Sequence, residues 1–223
     1  MTRFEEIYEL ADIIIESEEI RQAPLYKKYL FLYKFLQFSI AEFNTRCFRD
    51  LTTIEPFSYK TYNIVGDGLE TEFAVSDSIS SMSVYIERET AKNSMAFVPV
   101  FYSDYSINEM NGSVVFADAP KDGVRLNIYV YQTGYFYDDL DFEEKSILAN
   151  GMVIAFYQNQ LNRSTLLNQQ VYGVGAKMYS QAEHLKQLNT ILKDTKYEVE
   201  GRINAYTYEN DPELSLNKIN KQK

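Results

Sequence analysis

A stretch of alternating residues and glycine turns, from Tyr62 to Tyr131, constrains the fold of this chain most strongly. Its turns contain glycines, which can adopt the positive φ of a tight hairpin. After the last turn, apolar and polar residues alternate from Val124 to Tyr131, so that every second side chain shares one face of a strand. The pattern predicts a half-buried antiparallel strand there and a β-rich unit over the whole stretch. The turns are Gly66-Asp67-Gly68, Asn111-Gly112 and Asp122-Gly123.

Helical periodicity flanks the β-rich stretch on both sides. Thr2 stands where it would cap a first helix, and Asp141 with Glu144 has the spacing of a capping box. A polar run that ends in two glycines predicts an irregular connection over residues 163–175. Apolar residues recur every three or four positions and predict four helices, over about 2–22, 24–50, 138–162 and 176–208.

The β-rich stretch itself divides into six predicted strands. One of them contains Pro99, which cannot donate to a β-ladder and therefore indicates an edge strand or a bulge. The strands are expected near residues 59–65, 71–75, 83–89, 97–102, 113–117 and 124–133. The sequence thus predicts an α+β fold in which a helical body of about four helices carries an inserted antiparallel β-subdomain. The body takes residues 1–58 and 134–210, the insertion takes residues 59–133, and residues 211–223 form a flexible C-terminal tail.

Charge and cysteine content exclude several classes of protein. The formal net charge of -10 argues against a groove that binds nucleic acid by neutralising phosphates. Cys47 is the only cysteine, so neither an intrachain disulfide nor a thiolate metal cluster is expected. The N-terminus shows no secretory signal, and the longest apolar run, residues 29–38, is shorter than the roughly 20 residues that span a bilayer. A soluble protein is expected.

The residues that could support catalysis are few. His184 is the only histidine, and we expect it on a helix surface, since nothing around it suggests a catalytic triad or a metal site. The acidic run 138–144 leads directly into a helix, which favours helix capping over a calcium loop. The glycines near residues 66 and 173 lack the remainder of a dinucleotide or phosphate motif. We therefore expect no catalytic residue, metal or cofactor; a hydrolase that uses the 138–144 carboxylates is the enzymatic alternative.

Two features of the sequence suggest protein contacts. The middle of the second predicted helix is apolar almost all round, which is typical of a helix buried on several sides or shared with another subunit. The chain also has 19 tyrosines, a residue type enriched at interfaces, although half-exposed sheet positions would look the same. Tyrosines expected on the outer face of the predicted strands are Tyr85, Tyr102, Tyr129 and Tyr131.

Two segments of the β-rich stretch resemble a small β-module found in neck and tail proteins of tailed bacteriophages. The first is residues 66–73, where a glycine hairpin precedes Thr71-Glu72-Phe73. The second is residues 115–123, which contain the turn Ala119-Pro120-Lys121-Asp122-Gly123. The setting of this module, with two helices before it and two helices and a tail after it, resembles the head-tail connector (adaptor) family. What the resemblance implies is a virion protein of the phage neck, assembled in the host cytoplasm and without a membrane partner.

The resemblance also implies a role and a set of contacts. Subunits would form a ring of about twelve copies, by analogy with the symmetry of the portal, through head-to-tail contacts. The ring would join the portal protein to the tail or to further neck proteins and let DNA pass without binding it specifically. The expected subunit contacts are Phe31, Leu32, Phe35, Phe38, Leu188 and Leu192, and the expected portal-docking residues of the tail are Asp211, Pro212, Leu214, Leu216 and Ile219.

Two other functions fit the same sequence features. A tail-completion, collar or fibre-attachment protein could carry the same β-module in three or six copies, away from the portal. A cellular adaptor domain could use a tyrosine-rich sheet to bind peptides.

Overall fold

The computed structural model describes residues 1–15, 17–47, 49–75, 83–94, 96–108, 110–170 and 175–210. For Glu19, residues 164–170, residues 175–182 and His184 it describes the backbone alone. The chain divides into two compact units. Unit 1 comprises Met1–Gln22, Leu30–Glu55 and Tyr135–Lys223, and unit 2 comprises Ala23–Tyr29 and Pro56–Gly134. The predicted insertion, residues 59–133, lies within unit 2. The antiparallel α+β fold is confirmed.

Unit 1 is mainly helical, and its core contains apolar residues from all of its long helices. Five helices are described where about four were predicted, because the first predicted helix divides after residue 15. The second part starts where the Ser17 carbonyl accepts a hydrogen bond from the Arg21 amide. The helices are α1 (Phe4–Ile15), α2 (Glu18–Gln22), α3 (Leu25–Arg46), α4 (Phe142–Gln170) and α5 (Gly175–Asn210).

A small antiparallel sheet in unit 1 was not predicted. Strand β10 (Tyr135–Phe136) pairs with β1 (Thr2–Arg3) on one side and with β2 (Ile54–Glu55) on the other. Each strand has only two residues, which is too short for a period of two to be visible. The sheet ties the N-terminus to the segment that leads into α4.

The two predicted helix caps had different outcomes. Asp141 and Glu144 form the expected capping box: each backbone amide donates to the other carboxylate, at 2.9 and 2.8 Å. The prediction for Thr2 was wrong, because Thr2 lies in β1 and its hydroxyl accepts a hydrogen bond from the Leu140 amide at 2.8 Å. The residue before α1 is Arg3, whose amide donates to the Glu6 carboxylate at 3.1 Å.

The predicted irregular connection over residues 163–175 was also wrong in its first half. Helix α4 continues to Gln170. Ser, Thr and Asn lower helix propensity by only tenths of a kcal/mol each, and the segment has no glycine or proline before Gly173. A polar composition alone therefore does not end this helix.

Unit 2 contains two antiparallel sheets. The larger has the order β3-β9-β5-β6 and the smaller has the order β4-β8-β7. The predicted strand over residues 97–102 ends earlier, at Pro99, and is followed by a 3-10 turn, Tyr102–Asp104, and by β7, which was not predicted. The strands are β3 (Ser58–Val65), β4 (Glu72–Ala74), β5 (Ser83–Glu89), β6 (Phe97–Pro99), β7 (Tyr105–Asn108), β8 (Ser113–Phe116) and β9 (Arg125–Gln132).

Side chains of both sheets form one apolar core. Leu126, Ile128 and Val130 of β9 face this core, as their alternation predicts. The opposite face of β9 is less exposed than predicted, because the start of α3 covers part of it. Tyr26 stacks on Tyr129 with ring centroids 4.0 Å apart, and Tyr131 is fully buried. The other core residues are Phe73, Val75, Val84, Ile86, Val100, Tyr105, Val114 and Phe116.

The edge position of the proline-containing strand is confirmed. Strand β6 is terminal in its sheet and pairs with β5, with Pro99 opposite Glu87. The Val100 amide donates to the Ile86 carbonyl, so residues 98 and 100 turn their backbone groups towards β5. Pro99 therefore faces the open side of the sheet, where its missing N–H leaves no ladder bond unmade.

Candidate functional site

The two glycine turns of the proposed phage module lie against each other in unit 2. The Gly68 amide donates to the Pro120 carbonyl at 3.0 Å, and the Gly123 amide donates to the Gly66 carbonyl at 2.8 Å. The Gly66 amide donates to the Val124 carbonyl at 2.9 Å, which extends the β3–β9 ladder into the turns. Two motifs that are distant in sequence thus form one backbone junction, called the glycine junction below.

Glycine is required at the centre of this junction. A Cβ atom at Gly66 would lie 2.5 Å from the Pro120 carbonyl oxygen and 2.7 Å from the Lys121 carbonyl oxygen, within hard-sphere contact. Gly68 and Gly123 have φ angles of +78° and +73°, which residues with a Cβ rarely adopt. The glycines therefore determine how closely the two turns approach.

A groove of about 800 Å³ lies beside the glycine junction. Its apolar lining includes Val100, Phe116 and Leu126 from the core of unit 2. Charges of both signs surround it, so the groove selects neither a strongly acidic nor a strongly basic ligand. Its charged residues are Arg88, Glu89, Lys92, Asp104, Asp118, Lys121 and Asp122.

Glu89 is the buried charge of this groove, and its partner is Arg125. The Glu89 carboxylate accepts hydrogen bonds from the Arg125 side-chain Nε at 2.7 Å and from the Arg125 amide at 2.8 Å. These bonds hold the pKa of Glu89 below its usual value. The guanidinium also donates to the Ser94 carbonyl at 3.2 Å. The pair therefore clamps the β5–β6 loop to the start of β9.

The four tyrosines expected on the outer strand faces differ in exposure. Tyr131 is buried, and Tyr85 and Tyr129 are half-buried beside Tyr26. Tyr102 is exposed, as is Phe101 next to it at 74%. Of the four tyrosines, Tyr102 is therefore the one that offers an exposed ring. It begins the 3-10 turn and directly follows the exposed Phe101.

The residues expected to form subunit contacts are mostly buried within the chain itself. Only Phe38 is substantially exposed, at 48%, while Phe31 is half-buried and packs edge-on against Phe35 with ring centroids 4.7 Å apart. A side chain buried in its own core has no surface left for a neighbour, so the interface hypothesis narrows to Phe31 and Phe38. The four buried residues are Leu32, Phe35, Leu188 and Leu192.

Phe38 borders a second groove, of about 280 Å³, in unit 1. Helices α3, α4 and α5 all contribute side chains to it, including Phe43, Ile154 and Ile203. α3 and α4 approach closely at Gly151, where an added Cβ would collide with Ser39, whose hydroxyl donates to the Leu148 carbonyl. The charged rim consists of Glu42, Arg46, Lys196 and Glu200.

Glu144 is the most connected buried carboxylate in unit 1. Its side chain is fully buried and accepts hydrogen bonds from the Arg49 guanidinium at 2.6 Å and the Tyr206 hydroxyl at 2.7 Å. Burial, together with the bond to Glu144, raises the pKa of Tyr206. Within the described residues, no group of three or more His, Cys, Asp or Glu side chains is placed to hold a metal ion.

Two expected features fall outside the described part of the chain. The portal-docking residues Asp211, Pro212, Leu214, Leu216 and Ile219 lie beyond Asn210, the last described residue. His184 lies on α5, but its side chain is not described.

Comparisons of the chain with family models, with curated proteins and with solved structures gave no match. Among the helices described here, none combines the length and apolar character needed to cross a membrane.

Proposed function

We propose that this chain is a head-tail connector (adaptor) subunit of a tailed bacteriophage. In this role it forms a ring in the phage neck that joins the portal to the tail and lets DNA pass. The chain acts through protein contacts and not through catalysis.

The glycine junction is the observation that carries the proposal. The resemblance to phage neck and tail proteins rests on two motifs, and these motifs meet through backbone hydrogen bonds of the Gly66 and Gly123 turns. If both motifs belong to one module, they must lie together in the fold. Two unrelated segments that match by chance would have no reason to contact each other. The helical unit, whose segments come before and after most of unit 2 along the chain, agrees with the layout of connector proteins.

The described surface offers two sets of apolar side chains for subunit or neck contacts. Phe38, beside the groove between α3, α4 and α5, would meet a neighbouring subunit, and Phe101 with Tyr102 on unit 2 would meet a neck or tail protein. Aromatic rings are favoured at such interfaces because each buries a large area at low entropic cost. The segment beyond Asn210 would reach the portal.

The charge of the chain suits a passage for DNA. A formal net charge of -10 repels phosphates, so a channel wall built from many copies would not hold the genome during ejection.

Immunogold electron microscopy of phage particles from the source culture would test the proposal, using antibody raised against the purified chain. We expect gold at the single vertex where head meets tail. Antibody absorbed beforehand with the purified chain is the control and should leave that vertex unlabelled.

The other outcomes separate the competing functions. Gold on tail tips or fibres would contradict the connector role and favour a tail-completion or fibre-attachment protein. Particles without gold at any position, in a culture whose lysate contains the chain by immunoblot, would contradict a virion role and favour a cellular adaptor.

A further inference from the structure

Strand β3 has the longest open edge in the larger sheet of unit 2. It is terminal in the order β3-β9-β5-β6 and comprises eight residues, whereas β6 at the other end has three residues and a proline. Long unprotected edges are uncommon in natural sheets because they pair with other chains. Between Tyr59 and Val65 the strand has no proline and one charge, Lys60.

The hydrogen-bond pattern shows which backbone groups of β3 are free to pair. The Gly66 amide donates across to the Val124 carbonyl, and the Arg125 amide points the other way, to Glu89. Ladder bonds alternate along an antiparallel pair, so the even-numbered residues of β3 bond to β9. The amides and carbonyls of the odd-numbered residues, from Tyr59 to Val65, therefore face the open edge.

These odd-numbered residues are also accessible. Tyr59 is 47% exposed and Val65 is 61% exposed, and Thr61 and Asn63 between them are exposed too. No described strand pairs with this edge. The edge thus presents four amides and four carbonyls without strand partners among the described residues.

We propose that β3 pairs antiparallel with β3 of a second copy of this chain, with Tyr62 facing Tyr62 across a two-fold axis. The pairing joins two four-stranded sheets into one. It requires only two free copies and does not depend on a role in a virion.

The side chains of β3 fit this register. Tyr59 lies opposite Val65 of the second copy, and Thr61 lies opposite Asn63, so each of these pairs exchanges two hydrogen bonds. Every outward backbone group from Tyr59 to Val65 then has a partner. Aromatic residues opposite aromatic or β-branched residues stabilise a ladder.

The single charge of the strand also fits. Lys60 lies opposite Ile64 of the second copy, so no like charges face each other directly across the two-fold axis. Because each copy contributes one strand, the contact belongs with small and transient interfaces, and the dimer should depend on protein concentration.

Disulfide trapping provides a test that is specific for this register. In the proposed pairing the Cα atoms of residue 59 and residue 65 of the second copy lie about 5.5 Å apart, within disulfide range. The two copies of residue 59, and likewise those of residue 65, lie about 20 Å apart at the rise of a strand. We therefore expect a mixture of Tyr59→Cys and Val65→Cys chains to form covalent dimers under mild oxidation, several-fold faster than either variant alone.

The native protein is the control, since Cys47 is buried and burial raises its thiol pKa to about 11. Equal rates for the mixture and the separate variants would overturn the proposed register. No dimer in the mixture at the highest soluble concentration would overturn the pairing.

A proline substitution tests the pairing independently by sedimentation velocity. Thr61→Pro removes an outward-facing amide and leaves the β3–β9 ladder intact, while Thr61→Val keeps that amide. Wild type and Thr61→Val should increase in average mass with concentration, and Thr61→Pro should remain a monomer. A wild type that stays monomeric, or a Thr61→Pro chain with an unchanged circular dichroism spectrum that still dimerises, would contradict the proposal.

Discussion

At the scale of single residues, Glu144 connects three distant segments of unit 1. Its carboxylate caps α4 and also bonds to Arg49, which follows α3, and to Tyr206, near the end of α5. A buried carboxylate is tolerated only when such partners replace water. The Arg49 cation, the Tyr206 hydroxyl and the Asp141 amide together supply that replacement.

We expect Glu144→Gln to lower the free energy of unfolding by about 1.5–3 kcal/mol, because it removes the charge that strengthens the hydrogen bonds from Arg49 and Tyr206. Tyr206→Phe should cost about 1.5–3 kcal/mol, the range for a hydrogen bond to a charged group. Urea unfolding followed by circular dichroism measures both values. Tyr197→Phe, on the same helix and 82% exposed, is the control and should change little. A Glu144→Gln protein as stable as wild type would contradict this account.

The sequence predicted half of this cluster. The capping-box spacing identified Asp141 and Glu144, since a local motif is visible in sequence. Arg49 and Tyr206 could not be assigned, because they reach Glu144 across 95 and 62 residues and no periodicity encodes that meeting.

The glycine junction gives a second prediction for a single residue. Gly66→Ala should lower the free energy of unfolding by about 1–3 kcal/mol, because its Cβ would press on two backbone carbonyl oxygens and not on a flexible side chain. Gly201→Ala is the matched control: nothing lies within 4 Å of an added Cβ, and Gly201 is an exposed position inside α5. That change should stabilise the protein by about 0.5–1 kcal/mol. Thermal unfolding measures both changes in stability. If the two alanine substitutions change the stability in the same direction, the role of Gly66 is contradicted.

At the scale of elements, α3 belongs to both compact units. Its first turn, up to Tyr29, is part of unit 2, and the remainder is part of unit 1. The apolar pattern of this helix predicted burial on several sides, and the structure agrees, since Leu32 and Leu36 are buried in unit 1 while Tyr26 is buried in unit 2. Periodicity identified the helix but could not show which turn packs against which unit.

Tyr26 tests how much that first turn stabilises unit 2. Tyr26→Leu removes the stacking of Tyr26 on Tyr129. It should lower the free energy of unfolding by about 0.5–1.5 kcal/mol, which is what an aromatic pair contributes in addition to the burial of its apolar area. Leu25→Ala, at the exposed neighbouring position, should change stability far less. Hydrogen exchange of the β9 amides should accelerate in Tyr26→Leu alone. Unchanged exchange would mean that the turn does not stabilise the sheet.

At the scale of the whole molecule, stability should depend on pH through carboxylates that are hydrogen-bonded to cations. The bonds from Arg125 lower the pKa of Glu89, and the hydrogen bond from Lys145 lowers that of Glu6. A pKa that is lower in the folded than in the unfolded chain stabilises the fold above the unfolded value, near 4.3, and the contribution disappears as the pH falls through the folded value. We expect the free energy of unfolding to decrease from pH 6 towards pH 3, and less steeply in Glu89→Gln. Urea titrations at each pH measure this decrease. If the free energy of unfolding falls equally steeply with pH in wild type and in Glu89→Gln, Glu89 does not contribute to the pH dependence.

The two units should unfold together, and Cys47 can report whether they do. Its thiol is buried in unit 1, so a thiol reagent reacts only after the helical unit opens. Because α3 continues without a break from one unit into the other, loss of unit 2 removes the packing of its first turn and should weaken the rest of the helix. Gly66→Ala, in unit 2, should therefore accelerate Cys47 labelling in dilute urea, as Glu144→Gln in unit 1 should too. If Gly66→Ala destabilises the β-sheet yet leaves the labelling rate at the wild-type value, the units unfold independently and α3 does not couple them.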